Sequence, residues 1–236
     1  MKLTILAEGS TKWQRLIRRW GVSFLLDNDI LFDAFGRTDI FKQNLDKFNV
    51  DIKQIKTVIL SHEHWDHTGG LKYLLENQKN ITVYVPAGFN KIIKETLSSN
   101  GIKLIETNKI TQIKENVFIS ETLCGYLHGH AICEQSLVIK TDKGLSVICG
   151  CAHPGIDNMA KKIKQDFKEN IHTLIGGFHL KDNDEATNEL IIKNLQEDGI
   201  QRIIPMHCTG KRAVEYIKKV FGTGFAETNE GDIIEL

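Results

Sequence analysis

Three histidines and one aspartate lie within residues 62–67, directly after a short apolar run. The run, Thr57–Leu60, predicts a buried strand, and the leucines after Gly70 predict that a helix follows. We therefore expect the cluster on a tight loop at the C-terminal end of a strand, where open α/β sheets place functional groups, rather than in a polar surface turn. Imidazole and carboxylate groups so close together predict a site for one or two divalent metal ions. The candidate ligands are His62, His64, Asp66 and His67.

The charge and the cysteine content limit the classes of protein to which the chain can belong. Its 30 basic and 30 acidic residues cancel, which argues against a nucleic-acid-binding or a membrane-surface protein. No apolar run is as long as a membrane span, and residues 1–20 lack the apolar core of a signal peptide. Five cysteines are an odd number, so we expect reduced thiols and a cytoplasmic location. Because no linker or repeat stands out, we expect a single domain, residues 1–236.

The order of predicted strands and helices indicates an α/β protein. An N-terminal strand and a hairpin are followed by alternating helices and strands, then by antiparallel strands over residues 110–142, then by further strand–helix units. Four of the predicted strands end in polar clusters, at residues 62–67, 151–153, 179 and 207–209. Because the C-terminal ends of parallel strands meet at one edge of a sheet, we expect these clusters to share one site.

Two polar segments before the metal loop allow alternative interpretations. Residues 9–20 are basic and contain Trp13 and Trp20. They fit either a solvated loop or helix whose tryptophans and leucine cover the sheet, which we favour, or a flap that meets an anionic or aromatic substrate. Asp33, at the end of a hairpin strand, either caps a turn or lies beneath the metal loop and orients a ligand histidine.

Two later clusters carry further candidate residues. His153 follows Cys151 between two glycines, and we expect His153 to ligate a metal, whereas Cys151 is either a ligand or a buried thiol. His207 is also expected to be a metal ligand, because it follows another predicted strand. The threonine after it either caps the next helix or helps to bind an anion such as a phosphate. The candidate anion-binding residues are Thr209, Lys211 and Arg212.

The remaining histidines and one glutamate are less constrained by the pattern. His179 follows a fourth strand and could be a metal ligand, a proton donor or a substrate contact. His128 and His130 are weaker candidates for the site. His172 lies at the start of a strand and is expected to be inert. Glu134 lies near the start of another strand and could touch the site, but we expect it to be a surface residue.

The metal loop and its surroundings resemble a known family. The segment His62-Glu63-His64-Trp65-Asp66-His67 after a strand, with Asp33 upstream, is similar to the metallo-β-lactamase superfamily. The resemblance covers essentially the whole chain and implies a four-layer αββα sandwich with the metals at one edge, between the sheets. It also implies two metal positions. One would be held by His62 and His64, and the other by Asp66, His67 and His207.

Later segments depart from most of the superfamily and resemble one subgroup. Gly129-His130 lacks the surrounding loop that usually supplies a third histidine, and Cys151 follows Gly150 where most members have a bridging aspartate. Residues 150–155, 176–180 and 205–210 instead resemble the subgroup of 7,8-dihydropterin-6-methyl-4-(β-D-ribofuranosyl)-aminobenzene-5′-phosphate synthases.

Together the residues and the resemblance predict a metal-dependent hydrolase-like enzyme, or a transferase like these synthases. Its expected substrate is a small phosphorylated or pterin-type molecule attacked by a metal-activated water. Asp66 and His179 are the expected catalytic residues, as proton acceptor and as proton donor or substrate clamp. The expected cofactor is one or two divalent ions per chain, with zinc favoured over iron or manganese. The expected partner is an anionic small molecule, without nucleic acid or membrane, and a homo-oligomer is left open.

Two alternatives use the same ligand set. Histidine and carboxylate suit iron as well as zinc, so an iron-dependent oxidoreductase on the same fold remains open. The second alternative is a non-catalytic sensor, in which the metal only organises a pocket for a ligand.

Overall fold

The computed structural model describes residues 1–127 and 129–236, so the candidate His128 lies outside the described residues. The described chain forms two compact units. The first comprises Met1–Asn108 and Asn229–Leu236, and the second comprises Lys109–Thr228. Whether the two units behave as the single domain expected from the sequence stays a prediction.

The first unit is built on a mixed sheet of seven strands. The strands are β1 (Lys2–Gly9), β2 (Gly21–Leu26), β3 (Ile30–Phe32), β4 (Thr57–Ile59), β5 (Thr82–Pro86), β6 (Lys103–Thr107) and, from the C-terminal segment, β15 (Ile233–Glu235). Their order is β15-β1-β2-β3-β4-β5-β6. Neighbouring strands are antiparallel from β15 to β3 and parallel from β3 to β6. The helices are α1 (Lys12–Leu16), α2 (Thr38–Lys47), α3 (Trp65–Thr68), α4 (Leu71–Asn77) and α5 (Lys91–Ser99), with a 3₁₀ turn at Ile52–Gln54.

An apolar core holds the segment of residues 62–67 in place. Phe41 and Leu45, one turn apart on α2, are buried in the same cluster as Leu74 of α4 and Val58 of β4. Burial of each such side chain contributes about 1.5–3 kcal/mol. The loop after β4 is therefore held between a buried strand and a packed helix, as the sequence predicted.

The second unit has a mixed sheet of six strands and a separate hairpin. Its strands are β7 (Thr111–Lys114), β8 (Val117–Ile119), β9 (Leu123–Leu127), β10 (His130–Glu134), β11 (Leu137–Thr141), β12 (Gly144–Cys149), β13 (Ile171–Gly177) and β14 (Arg202–Met206). The sheet order is β14-β13-β12-β11-β8-β7, and β12, β13 and β14 are parallel. The helices are α6 (Ile156–Phe167), α7 (Glu185–Glu197) and α8 (Lys211–Phe221), with 3₁₀ turns at His207–Thr209 and Gly222–Gly224. The parallel strands bring the segments after β12, β13 and β14 to one edge of the sheet.

The expectation that all cysteines are reduced is wrong for one pair. Cys124 of β9 and Cys133 of β10 are directly opposite in the hairpin and form a disulfide bond. Their pairing follows from the register of two strands, which the odd count of cysteines did not reveal. Cys149, Cys151 and Cys208 are buried and are not disulfide-bonded. Among the described residues, no helix has the length and apolarity needed to cross a membrane.

The basic segment before β2 differs in part from its favoured interpretation. Thr11 caps the short helix α1 through a capping box with Gln14. Trp20 is buried, as expected of a residue that covers the sheet. Trp13 and Leu16 are 68% and 74% exposed, so the expectation that they also cover the sheet is wrong.

Candidate functional site

The loop after β4 and the short helix α3 that follows it bring four side chains with metal-binding atoms close together. His62 Nε2 lies 3.0 Å from His64 Nδ1, and the ring centroids of His62 and His67 are 4.2 Å apart. An oxygen of Asp66 lies 3.7 Å from His67 Nε2. His62, Asp66 and His67 are buried, and His64 is half-buried. The turn therefore gathers three imidazoles and one carboxylate at the end of a buried strand.

Asp33 controls the protonation of two of these rings. It is fully buried, and it accepts hydrogen bonds from His67 Nδ1 at 2.6 Å, from the Ser61 hydroxyl at 2.7 Å and from the Ser61 amide at 2.7 Å. Because the Ser61 hydroxyl donates to Asp33, it accepts from His62 Nδ1, 2.8 Å away. Both rings then carry their proton on Nδ1 and keep the Nε2 lone pair that a metal needs. Of the two interpretations of Asp33, the geometry matches the one in which it orients a histidine.

Glu134 plays the matching part in the second unit, and the expectation that it is a surface residue is wrong. It is fully buried and accepts from the backbone amides of Cys151, Ala152 and His153 at 2.8, 2.8 and 3.0 Å. It also accepts from His153 Nδ1 at 3.0 Å. Burial alone would raise the pKa of Glu134, but the bond and charge of His153 and the amides lower it to about 2. A sequence signal for this burial was available. Glu134 is two residues after the buried Ile132, so the two side chains lie on the same face of β10.

Cys151, His153 and His179 lie together at the edge of the second sheet. One ligand atom from each lies within 4.8 Å of the others. The rings of His153 and His179 are 4.5 Å apart. His179 also forms a hydrogen bond with Cys208. Burial lowers the pKa of His179, but the bond to Cys208 and its charge outweigh burial, so the pKa is raised.

Backbone conformation marks the same positions independently of the side chains. Asp33, Ala152, His179 and His207 have φ angles of 57°, 58°, 49° and 54°. This left-handed region is unfavourable for residues other than glycine, and such residues cluster where function constrains the chain. Each of these residues directly follows, or lies close after, the end of a strand. Three of the four strand-end clusters predicted from the sequence, at residues 151–153, 179 and 207–209, therefore contain a residue with a left-handed backbone.

A family profile described as the Metallo-beta-lactamase superfamily matches residues 22–145, just over half of the chain. The chain belongs to the metallo-β-lactamase superfamily. The 7,8-dihydropterin-6-methyl-4-(beta-D-ribofuranosyl)-aminobenzene-5′-phosphate synthase of Methanocaldococcus jannaschii is 29% identical over 262 residues, covering 91% of this chain and 89% of that protein. The resemblance stated from the sequence, including that to the subgroup of these synthases, is confirmed.

Solved structures agree with the superfamily assignment. Tm1679, described as a metal-dependent hydrolase of the beta-lactamase superfamily, matches with a TM-score of 0.82 and 28% identity, covering 100% of this chain and 99% of that chain. The metallo-beta-lactamase fold protein YhfI from Bacillus subtilis matches with a TM-score of 0.71 and 16% identity, covering 99% of both chains. The predicted fold class is confirmed, because the chain has the α/β metallo-β-lactamase fold of two mixed sheets flanked by helices.

The donor atoms of this superfamily member fit a divalent metal. Imidazole nitrogens, a carboxylate and a thiol are the donors that zinc and iron take in proteins. In each unit a buried carboxylate binds the Nδ1 of a histidine, which is the usual support of a metal-ligating imidazole. The expectation that the strand-end clusters of both units serve one site stays a prediction.

The three predicted anion-binding residues differ in their exposure, because Thr209 is buried whereas Lys211 and Arg212 are exposed. The Thr209 hydroxyl is buried, donates to Met206 O at 2.7 Å and accepts from the Phe178 amide at 3.1 Å. Helix α8 is capped by Gly210 without a side-chain hydrogen bond, so the alternative in which Thr209 caps this helix is wrong. Lys211 and Arg212 are exposed at its first turn.

Two other histidines, His130 and His172, do not belong to the groups of candidate ligands described above. His130 is exposed at the start of β10. His172 is half-buried on β13, and its Nδ1 lies 2.8 Å from the Thr173 hydroxyl. Burial, Lys143 and Arg202 lower the pKa of His172. His172 is therefore a suitable control for substitutions of the candidate ligands.

Proposed function

We propose that the protein is a metal-dependent hydrolase centred on the loop of residues 62–67. The observation that carries this proposal is the convergence of His62, His64, Asp66 and His67 above a buried aspartate that sets the ring tautomers. The likeness to Tm1679, a metal-dependent hydrolase by its description, supports it over nearly the full length of both chains.

In the proposed hydrolysis, different residues of the chain have different roles. A divalent ion bound by the loop would lower the pKa of a coordinated water to about 7 and polarise the substrate oxygen. Asp33 holds His67 directly, and His62 through Ser61, in the form that binds a metal. Asp66 either ligates or accepts a proton from the attacking water. His179 has a raised pKa, so a larger fraction of it carries a proton near pH 7 than of an ordinary histidine, as a proton donor requires.

We further propose that the substrate is a small anionic molecule with an aromatic ring. A surface cavity of about 430 Å³ is lined by Lys12, Arg15, Leu16, Arg18 and Trp65. The Arg18 guanidinium carbon lies 5.7 Å from the Trp65 ring. Three cations and an indole suit a phosphate and a flat heterocycle, and Trp65 directly follows His64 in the chain. This retains the flap interpretation of residues 9–20.

The M. jannaschii relative supports the same substrate class, because its name describes a phosphorylated pterin compound. Lys211 and Arg212, at the exposed start of α8, are proposed as additional contacts for the anionic group. Zinc is the proposed metal, with iron and manganese as the other outcomes of the measurement below.

The metal content of protein purified without oxygen tests the proposal. Elemental analysis should find about one or two equivalents of zinc per chain. His64→Ala should lose at least one equivalent, because its Nδ1 faces His62 Nε2 at 3.0 Å. The matched control His172→Ala should retain the full metal content. Full retention of metal by His64→Ala would overturn the assignment of the loop.

Turnover is tested with a panel of phosphomonoesters, phosphodiesters, lactones and thioesters, including pterin phosphates. The His64→Ala variant should be slower than the wild-type protein by about a hundredfold or more, and His172→Ala should be unaffected. Tight binding of a panel compound without turnover would favour the sensor. Iron as the bound metal, with colour and sensitivity to air, would favour the oxidoreductase.

A further inference from the structure

The hairpin of β9 and β10 is a separate two-stranded sheet within the second unit. Among the residues that the structure describes, its strands pair with each other and with no other strand. A two-stranded hairpin is at best marginally stable on its own in water. The hairpin therefore depends on the contacts of its two faces and on the disulfide bond between Cys124 and Cys133.

The two faces of the hairpin have different surroundings. The outer face carries Cys124 and Tyr126 of β9, which are exposed, and Cys133 of β10, which is half-buried. The inner face carries Ile132 and Glu134, which are buried. Successive side chains of a strand point to opposite faces, so the disulfide lies on the accessible side, whereas Glu134, the residue directly after Cys133, points inward.

Both strands of the hairpin hold the loop that follows β12. On β10, Glu134 accepts hydrogen bonds from the amides of residues 151–153 and from His153 Nδ1. On β9, Gly125 lies directly against the same loop, because a Cβ at this glycine would be 2.4 Å from His153 O and 2.8 Å from Pro154 Cα. Each of these two contact residues is the direct neighbour of a cysteine. The disulfide therefore joins the two strands at the place where they hold the loop.

The position of the disulfide argues against a bond that only stabilises the whole fold. The two cysteines are nine residues apart in the chain, and their strands already pair through the backbone, so the cross-link removes little entropy from the unfolded chain. Its sulfurs lie on an accessible face, unlike those of the buried Cys149, Cys151 and Cys208. An accessible disulfide is open to attack by an external thiolate.

We propose that Cys124 and Cys133 form a reversible redox site that controls how firmly the hairpin holds the loop of residues 151–154. The co-reactant is a dithiol. One of its thiolates attacks the exposed Cys124 Sγ, which breaks the disulfide, forms a mixed disulfide and releases Cys133 as a thiolate that takes up a proton. The second thiol of the reductant then closes a disulfide within the reductant and releases Cys124 as a thiol. Two electrons and two protons pass to the protein, and exchange with an oxidising disulfide reverses the reaction.

Reduction leaves the hairpin held only by its backbone pairs and its inner face. The two strands can then separate without breaking a covalent bond, and each separation withdraws Gly125 or Glu134 from the loop. We therefore expect the loop to open locally more often in the reduced protein, while the parallel strands of the sheet stay closed. An effect on turnover rests on the proposed function, because His153 is a candidate metal ligand. The effect on the loop does not.

Hydrogen exchange of the whole chain, measured by mass spectrometry, tests the loop directly. One sample of wild-type protein is oxidised with glutathione disulfide and a second is reduced with dithiothreitol, and each reagent is then removed without oxygen. The amides of residues 151–153 should exchange about tenfold faster in the reduced sample, because their acceptor Glu134 is less firmly held. The amides of residues 173–175, in the centre of β13, should exchange equally in both samples.

The double variant Cys124→Ser, Cys133→Ser is the matched control for the two reagents. After either treatment, its loop should exchange at the rate of the reduced wild-type protein. In the wild-type protein, peptide mapping should find Cys124 joined to Cys133 after oxidation, and alkylation of the folded protein after reduction should modify both. A pair that does not oxidise, a bond that resists dithiothreitol, or equal exchange of residues 151–153 in the two wild-type samples would each overturn the proposal. These three outcomes need no variant that folds.

The outcome is separable from that of the proposed hydrolase, because exchange is measured without a substrate. Faster exchange after reduction, in a protein that turns over no substrate, supports the redox site and removes the hydrolase. Turnover that depends on His64, with equal exchange in the oxidised and reduced protein, leaves the hydrolase standing and removes the redox site. Where both proposals hold, reduction should lower the turnover of the wild-type protein about threefold or more and leave that of the double variant unchanged.

Discussion

Two buried carboxylates, each bonded to the Nδ1 of a histidine, differ in the number of amides that face them. Asp33 accepts from one backbone amide, one hydroxyl and His67, and burial outweighs these partners, so its pKa is raised. Glu134 accepts from three amides and His153, and its pKa falls to about 2 against the same effect of burial. The partners of Asp33 are mainly the side chains that it orients. Glu134 is stabilised as an anion by the backbone amides of the loop that carries His153.

Glu134→Gln should destabilise the metal-free protein in a pH-dependent way. The pKa of Glu134 falls from 4.5 to about 2 on folding, which corresponds to a stabilisation of about 3 kcal/mol at neutral pH. For a lowered pKa this stabilisation is complete above the unfolded value of 4.5 and is lost as the pH falls towards 2. The difference in unfolding free energy between wild-type and variant should therefore narrow below pH 4.5.

Urea unfolding in the presence of a chelator measures this difference at neutral pH and at about pH 3. Glu121→Gln is the control, because Glu121 pairs with Lys162 at the surface and such pairs contribute about 1 kcal/mol or less. An equal effect of Glu134→Gln at both pH values would contradict the assignment of a buried anion.

At the scale of elements, the sequence predicts helices, strands and loops that depend on residues near one another in the chain. It misses contacts that depend on how strands and loops pair in the folded protein. The helices and strands follow from apolar periodicity, and the loop of residues 62–67 follows from a strand that feeds directly into a helix. Glu134 was misjudged, because its partners are amides of a loop that lies far along the chain. The Cys124–Cys133 bond was missed for the same reason, since it depends on the register of β9 and β10.

Gly177→Ala tests how tightly the ends of β12, β13 and β14 are packed. The added Cβ would meet Gly150 O at 2.4 Å and Cys208 Sγ at 2.7 Å, and overpacking of this kind costs about 1–3 kcal/mol. We expect a lower urea midpoint. The control Gly199→Ala meets no atom within 4 Å but has φ +87°, so it should cost only about 1 kcal/mol, through backbone strain alone. A Gly177→Ala protein with the wild-type midpoint would mean that the strand ends move apart readily.

At the scale of the whole molecule, charge is balanced although it is locally uneven. The 30 basic residues equal the 30 acidic residues, so no long-range field attracts a polyanion. Lys12, Arg15 and Arg18 line the surface cavity described above, and the guanidinium of Arg18 lies over the Trp65 ring. Such a group suits a single phosphate on a small molecule better than a nucleic-acid backbone, which needs a basic stripe across many phosphates.

This charge pattern predicts that the protein does not bind RNA or DNA tightly. Neutralising three phosphates would give a slope of log K against log salt of only about −2 to −3, so binding at about 0.15 M salt should be weaker than about 100 μM. Fluorescence anisotropy of a labelled single strand and a labelled hairpin, measured over a range of salt concentrations, gives both the affinity and the slope. The triple variant Lys12→Gln, Arg15→Gln, Arg18→Gln should abolish whatever weak binding remains and should also weaken the binding of a pterin phosphate. A Kd below about 1 μM that this variant leaves unchanged would mean that nucleic acid is held elsewhere on the chain, and the small-molecule substrate would then lose its support from charge.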